Sequence, residues 1–343
     1  MKHLFLSMAA VAMLASCSSE EVLDKAQTPK SAIGFSTFVD KSTRGAENDI
    51  ETGNISAFQV WGLMQKDTPV GKPFIGVTVN REQDGSGNWG NWGYITPVYW
   101  ENGYKYSFNA IAPASNNTNT WTYTPPTDIG EQGSIVFTNG DGTMDLIHDY
   151  DGTYAESAVS TTNAVPDIAF TFAHLLSRVK FQFTNSMDDG SVINVTSVEI
   201  NNANKKGTVT LSTKAWALSK EQNNTFKLTF GNVLLENSAT SFAASTTKQT
   251  DHKYMIPTET NAYTVNFTVT RTFNGGVTET YTHSGVPLPS TEMVAGNSYL
   301  FGATLSSGTI DPAGALKKIN FTVTSVSDWG AFGTENTITL PKP

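Results

Sequence analysis

Residues 85–90 carry the glycine spacing that dinucleotide-binding loops use to hold a pyrophosphate. They read G-S-G-N-W-G and match the pattern G-x-G-x-x-G. Such a loop needs a helix directly after it, because the helix N-terminus meets the phosphates. The residues that follow, N-W-G-Y-I-T at 91–96, cannot form that helix. The pattern therefore favours a glycine-rich hairpin loop over a nucleotide site.

An acidic stretch at 139–151 has the residue types of a calcium loop. Its carboxylates are Asp141, Asp145, Asp149 and Asp151. A helix-loop-helix calcium site also needs a glutamate at the twelfth position and helices on both sides, and the sequence provides neither. Asp, Asn and Gly are also the residues that turns need. We interpret 139–163 as a long loop region and keep a bound cation as the alternative.

The rest of the sequence lacks the constellations that are typical of enzymes. No two of the five histidines lie three to five residues apart, so no zinc pair is indicated. The chain has no G-x-S-x-G nucleophile elbow. We predict no catalytic residue, no metal ligand and no cofactor, and a protein that is not an enzyme.

Cys17 is the only cysteine, and its position points to lipid chemistry. It follows an apolar run at 4–15 that has the length of a signal peptide and is too short to span a bilayer as a helix. The run ends in L-A-S-C, which resembles the lipobox of bacterial lipoproteins, where cleavage leaves a diacylated cysteine at the new N-terminus. We predict a signal peptide at 1–17, lipidation of Cys17, and a polar tether at 18–30. An ordinary thiol beyond a standard cleavage site is the alternative.

Charge and cysteine content restrict the partners of the chain. The net charge of −9 opposes binding to phosphate backbones, which argues against nucleic acid as a partner. With one cysteine, no intramolecular disulfide can form, so an exported domain must be held together by burial and hydrogen bonds. Charged residues make up only 15% of the chain. This composition, rich in Thr, Asn, Ser and Gly, is typical of extracellular β-proteins.

Apolar residues along most of the chain recur with a period of two, which predicts β-strands. Ile33, Phe35, Thr37 and Val39 share one face of the first such run. Further runs lie at 104–110, 179–183, 226–230, 263–269, 299–305 and 319–323. The N-G-G sequence at 274–276 predicts a hairpin turn. No convincing long amphipathic helix is present, and 211–221 comes nearest to one.

Many short strands with turn signals between them predict an all-β chain built from antiparallel β-sandwiches. The length suits two domains. We place the boundary near residue 174, which gives an N-terminal sandwich at 31–173 and a C-terminal sandwich at 174–343.

Trp89, Trp92 and Trp100 lie in a stretch that also contains Tyr94 and Tyr99. Exposed rings of this kind could form a platform on which sugars stack. A strand pair with aromatic packing and core burial explains the same residues. We favour core packing and keep the glycan platform as the alternative.

In their order and spacing, these features resemble the fimbrillins, the type V pilins of gut and oral anaerobes. The resemblance covers nearly the whole length after the signal peptide. It rests on the segments 33–46, 55–62, 92–113, 165–181, 295–299 and 319–329.

The resemblance implies Greek-key, transthyretin-like topology in both sandwiches and a structural pilin subunit that polymerises. It implies a lipid-anchored precursor at the cell outer membrane. An arginine-specific protease then cuts after a Thr-Arg pair, here between Arg44 and Gly45. The strand at 33–39 leaves with the N-terminal piece, and the subunit joins a fimbrium on the cell surface. The implied partners are other pilin subunits, in a homopolymer or together with anchor and tip subunits.

The resemblance also implies a donor strand at the C-terminus, here 330–343, with Ile338 and Leu340 on one face. A neighbour's strand would fill the vacated groove by β-strand addition, and head-to-tail donation gives a filament. Two strong apolar positions are few for a donor, so a terminal subunit that accepts without donating stays open. A tip adhesin or a lipid-anchored glycan-binding protein, with a host or glycan ligand, is the alternative function.

Overall fold

The computed structural model describes residues 31–39, 55–68, 70–101, 103–154, 167–219, 226–235, 246–258, 263–314 and 319–328. These ranges contain β-strands and no α-helix. The strands are β1 (Phe35–Val39), β2 (Ala57–Gln65), β3 (Gly71–Asn80), β4 (Lys105–Ala112), β5 (Thr120–Thr124), β6 (Ser134–Thr138), β7 (Ile147–Tyr154), β8 (Ile168–His174), β9 (Ser177–Asn185), β10 (Val192–Asn201), β11 (Lys206–Thr210), β12 (Ala215–Leu218), β13 (Leu228–Thr229), β14 (Val233–Leu235), β15 (Thr246–Met255), β16 (Thr264–Thr272), β17 (Thr278–Pro287), β18 (Asn297–Leu305) and β19 (Thr322–Asp328). The predicted all-β class is confirmed, whereas the transthyretin-like topology stays a prediction. Within the described ranges, no helix has the length and hydrophobicity that crossing a membrane requires.

The N-terminal part is organised around a six-stranded sheet in the order β1-β8-β7-β4-β2-β3. Strand β4 is central and is buried on both faces along nearly its whole length. Its residues Tyr106, Phe108 and Ala110 belong to one hydrophobic core, which draws only on residues 33–172. Ile111, on the opposite face, belongs to another core. The sheet is therefore the middle layer of this part of the molecule.

Two further sheets face each other in the C-terminal part. One has the order β13-β10-β16-β17 with β14 also on β10, and the other the order β15-β9-β18-β19. Alternate residues of β9, β10, β16 and β18 point into one shared core. The predicted alternation at 179–183, 263–269 and 299–305 is confirmed, because these residues are buried there. The predicted turn at 274–276 joins β16 to β17, and Gly276 adopts a φ of 78° that favours glycine.

A fourth sheet connects the two parts. Its order is β12-β11-β6-β5, so it takes two strands from before residue 174 and two from after it. Strand β6 pairs antiparallel with β11, with Phe137 opposite Gly207. The core beneath this sheet also combines both parts, since Ile135 and Phe137 pack there with Leu175 and Tyr254. The predicted division at residue 174 stays a prediction, and any two domains would share this sheet.

The interpretation of 139–163 as a long loop is wrong over its middle, because β7 occupies Ile147–Tyr154. Polar residues of this strand are bonded to its neighbours. Asp149 Oδ2 accepts a hydrogen bond of 2.7 Å from the Thr171 amide, and burial raises the pKa of Asp149. Likewise, 211–219 contains a turn and strand β12, with no helix.

The glycine-rich loop at 85–90 is a hairpin loop, as predicted. Gln83 and Trp89 form an antiparallel bridge across it. Asp84 Oδ1 accepts hydrogen bonds of 2.8 Å from the amides of Ser86 and Asn88. These bonds hold the pKa of Asp84 below its usual value. The loop's polar groups therefore stabilise a turn.

The shared sheet predicts that both parts unfold together. Phe137 is fully buried beneath that sheet. We expect Phe137→Ala to lower the free energy of unfolding by about 3–5 kcal/mol. Val136→Ala, one residue away and half-buried, should cost less than about 1 kcal/mol. Denaturant unfolding followed by tryptophan fluorescence and by circular dichroism should give one coincident transition. Two separate transitions would show that the shared sheet does not couple the parts.

His148 on β7 gives the stability a defined pH dependence. Its side chain is buried, with Nε2 3.0 Å from Oδ1 of Asn109, and burial is the main reason that its pKa is lowered to about 3. Below pH 6.5 the unfolded chain binds a proton at this residue that the folded chain does not, so stability is lost as the pH falls toward 3. The expected loss is about 2 kcal/mol between pH 7 and pH 5.

The His148→Gln variant tests that assignment in denaturant titrations at both pH values. The variant should lose about 2 kcal/mol less than the natural chain over this interval. Some pH dependence persists in the variant, because burial also lowers the pKa of His252 to about 3. Equal losses in the two proteins would contradict the assignment.

Candidate functional site

Strand β1 lies at the edge of the six-stranded sheet and is held from two sides. It pairs in parallel with β8, with Phe35 opposite Ile168 and Val39 opposite Phe172. The residues just before it bond to a different segment, since the Ile33 amide donates to the Val98 carbonyl at 2.8 Å. The Trp100 amide likewise donates to Ser31 at 3.1 Å. Removal of 31–39 would therefore leave unpaired backbone groups on both sides of a slot.

Phe35 fills the centre of the aromatic core beneath β1. Its ring lies 5.3 Å from Phe74 and 5.8 Å from Phe170, measured between ring centroids, and the latter pair is stacked. The other rings within 6.4 Å are Phe58, Tyr94 and Phe108. Phe35 is only 3% exposed and Ile33 only 1%. Burial of these two side chains contributes about 3–6 kcal/mol, at roughly 1.5–3 kcal/mol each.

Tyr94 fastens the start of this segment. Its hydroxyl donates a hydrogen bond of 2.7 Å to the Ile33 carbonyl and accepts one of 3.2 Å from the Val98 amide. Burial raises the pKa of Tyr94, so it stays a neutral donor. The neighbouring Gly34 accepts from the Ile168 amide at 2.9 Å. A Cβ at Gly34 would come within 1.8 Å of Asp167 Oδ1, so a larger residue here requires Asp167 to move.

The predicted removable strand is thus a strand of the fold, and three of its four inward residues, Ile33, Phe35 and Thr37, are buried. The fourth, Val39, is paired through its backbone. Its removability stays a prediction. The other predicted processing and assembly residues lie outside the described ranges. They are Cys17, Arg44, Gly45, Ile338 and Leu340.

The three tryptophans of the predicted glycan platform differ in burial and in what they pack against. Trp100 is 3% exposed and packs edge-on against Tyr106, so it offers no open face to a sugar. Trp92 packs against Phe58 in the core. The guanidinium of Arg81 lies over both Trp89 and Trp92, at 4.4 and 4.6 Å from their ring centroids. A sugar-binding role for Trp89 and Trp92 stays a prediction.

The side chains of the acidic stretch are bonded within the protein. Asp141 accepts hydrogen bonds from Asn119 and Thr143, which hold its pKa below the usual value against the opposing effect of burial. Asp145 Oδ1 lies at a hydrogen-bonding distance of 3.0 Å from His174 Nδ1, and both side chains are buried. Among the described residues, no cluster of three or more His, Cys, Asp or Glu side chains could hold a metal ion. The alternative of a bound cation at 139–151 stays untested.

Sequence reasoning located β1 but not the groups that hold it. The period-two pattern marks a strand with one buried face, and it carries no information about which strand pairs with it. The parallel partner β8 and the segment 98–100 lie far away in the chain. One local signal was available, because the aromatic residues around Tyr94 are dense for an exposed loop.

Comparisons with known proteins agree on one family. Residues 43–329 match the sequence profile of the fimbrillin-like family. A fimbrial protein from Bacteroides vulgatus has a similar structure, with a TM-score of 0.54 and 13% identity over 87% of this chain and 99% of that one. A candidate cell adhesion protein from Bacteroides ovatus has a TM-score of 0.51 and 13% sequence identity, over 88% of this chain and 98% of that one. No curated protein matches the chain in a sequence search.

At such low identity the two structures support the fold alone, whereas the profile match extends across both parts of the molecule and most of the chain. On that match, the chain belongs to the fimbrillin-like family of fimbrial and adhesion proteins.

Proposed function

We propose that this chain is a fimbrial subunit that polymerises by exchanging β1 for a strand of a neighbouring subunit. Family membership supports a fimbrial subunit or adhesin of the cell surface. The proposal of strand exchange rests on the position of β1. An edge strand with Phe35 at the centre of the core can leave only if another strand replaces both its hydrogen bonds and its buried rings.

Proteolysis at Arg44–Gly45 would release β1, because the bond follows that strand in the chain and precedes β2. The released piece would carry Cys17 and its lipid. The remaining chain would thereby lose its membrane anchor and gain an empty slot in one step. Before cleavage, β1 occupies its own slot and blocks premature assembly.

The segment 330–343 is the proposed donor. Fourteen extended residues reach about 46–50 Å, which is enough to cross a neighbouring sandwich. Ile338 and Leu340 would supply apolar side chains on one face, in the pattern that a slot between β8 and 98–100 requires. Donation from each subunit to the next does not close on itself and gives a filament.

The energetic role of β1 is tested first by a core substitution in the uncleaved chain. Phe35→Ala should lower the free energy of unfolding by about 3–5 kcal/mol, because five aromatic rings lose their central partner. Ser36→Ala, on the outer side of the same strand, should change it by less than about 1 kcal/mol. Denaturant titration measures both. Similar small effects would show that β1 contributes little to the core.

The exchange itself is tested on the chain from residue 18, treated with an arginine-specific protease. N-terminal sequencing should give a product that starts at Gly45, and light scattering should show high-mass assemblies. Arg44→Ala should stay uncut at this bond and monomeric. A chain that ends at residue 329 should be cut yet stay monomeric, because it lacks the donor.

A peptide of residues 31–44 in excess should slow the assembly, since it refills the slot. The same peptide with Phe35→Ala should inhibit less, by about tenfold or more in effective concentration. Assembly of the Arg44→Ala chain, or of the chain that ends at 329, would contradict strand exchange as proposed.

A further inference from the structure

A cleft of about 630 Å³ opens beside the turn between β11 and β12. One wall comes from this turn and β12, with Lys214 and Trp216. The other comes from the segments 257–258 and 292–295. The volume lies within the range of small-molecule sites, which is about 300–1,000 Å³. The cleft is far from β1 in the chain, and none of its lining residues belongs to the core around Phe35.

The indole of Trp216 lines this cleft and is fixed from the protein side, where it packs against the core that contains Phe137 and Leu175. Its Nε1 donates a hydrogen bond of 3.0 Å to the Leu175 carbonyl. Phe137 meets the ring edge-on, with 6.4 Å between centroids. On the neighbouring strand β11, a Cβ at Gly207 would come within 3.0 Å of Trp216 Cε3. The glycine therefore leaves the space in which the ring lies close against the sheet.

The opposite wall is fastened to the same short segment as Trp216. Ser177 Oγ donates to the Val294 carbonyl at 2.9 Å, and the Gly296 amide donates to the Leu176 carbonyl at 2.9 Å. Thr258 and Met293 bond to each other through two backbone hydrogen bonds of 3.1 and 2.9 Å. Both walls are thus fixed relative to residues 175–177. Such a cleft is formed before any ligand arrives, which lowers the entropic cost of binding.

The lining mixes apolar and hydrogen-bonding groups in a way that selects one ligand class. Leu218 and Val294 are 37% and 41% exposed, and Trp216 adds aromatic surface. The exposed charged groups of Lys214 and Glu292 provide a donor and an acceptor, whereas the Thr213 hydroxyl is bonded within its own turn. One cation and one anion give no net charge, which disfavours phosphates and polyanions. A ligand with an apolar ring face and a rim of hydroxyls fits this combination.

We propose that the cleft at Trp216 binds a neutral saccharide, whose C–H face stacks on the indole while its hydroxyls bond to Lys214 and Glu292. The proposal does not depend on strand exchange, because the uncleaved chain already contains the complete cleft. It would give the subunit an adhesive function in addition to its structural one.

Saturation-transfer NMR on the uncleaved chain from residue 18 tests the proposal. The probes are D-galactose, N-acetyl-D-glucosamine, L-fucose and lactose, each offered alone. At least one should receive saturation at its ring C–H protons. Titration of that sugar, followed by its saturation-transfer signal, should show that Trp216→Ala weakens the affinity by about tenfold or more. Trp216→Phe should retain most of it, and Trp89→Ala should leave it unchanged.

If Trp216→Ala fails to fold, Glu292→Ala tests saccharide binding in its place. This change removes a partly exposed acceptor outside the cores, and the affinity should fall by about tenfold at an unchanged unfolding midpoint. Three outcomes would overturn the proposal. They are no saturation of any probe, unchanged affinity in both variants, and loss of binding in Trp89→Ala instead.

Discussion

The two parts of the molecule are joined through residues 175–177, which are the two residues after β8 and the first residue of β9, and hydrogen bonds of this segment position several elements around it. The Leu175 amide donates to Leu146 at 2.9 Å, and its carbonyl accepts from Trp216. Leu176 accepts from Gly296. The leucine side chains are fully buried in the core that both parts share. A buried turn of this kind is stable only when its backbone groups find partners, and those partners come from elements far apart in the sequence.

Polar side chains add hydrogen bonds near residues 175–177 to those that the backbone makes. Asn139 donates to the Tyr254 carbonyl at 2.8 Å and accepts from the Gly142 amide, so a single amide ties two distant segments. Arg178 donates from Nε to Ser298 at 3.0 Å, and burial lowers its pKa to about 10. A buried polar group lowers the stability of the fold when it lacks a hydrogen-bond partner, and it favours one arrangement of the core when it has one. The bond from Asn139 to Tyr254 connects the two parts, whereas the bond from Arg178 to Ser298 joins the paired strands β9 and β18 within one sheet.

The sequence pattern predicted strands that have one buried and one exposed face. It did not reveal strands whose two faces have similar burial. Alternation marked β9, β16 and β18, because each places one face in a single core. It could not show that β4 is buried on both sides, since Ser107 and Asn109 look like outward residues but are buried. Strand β7 was not predicted, because its aspartates and glycine are residue types that are typical of turns. The pairing of β6 with β11 lies beyond any local pattern, since the contact joins residues about seventy apart.

The separation of the cores allows one end of the molecule to change while the other is preserved. Ile33 and Phe35 pack only in the core that draws on residues 33–172, and the core at the joint contains no residue of β1. Exchange of β1 would therefore replace contacts within one core and leave the hydrogen bonds of residues 175–177 intact. Trp216 and Val294 are fixed by those bonds. Under the two proposals, a subunit built in this way would accept a neighbour's strand while the hydrogen bonds around its cleft stay intact, so that assembly would not alter ligand binding.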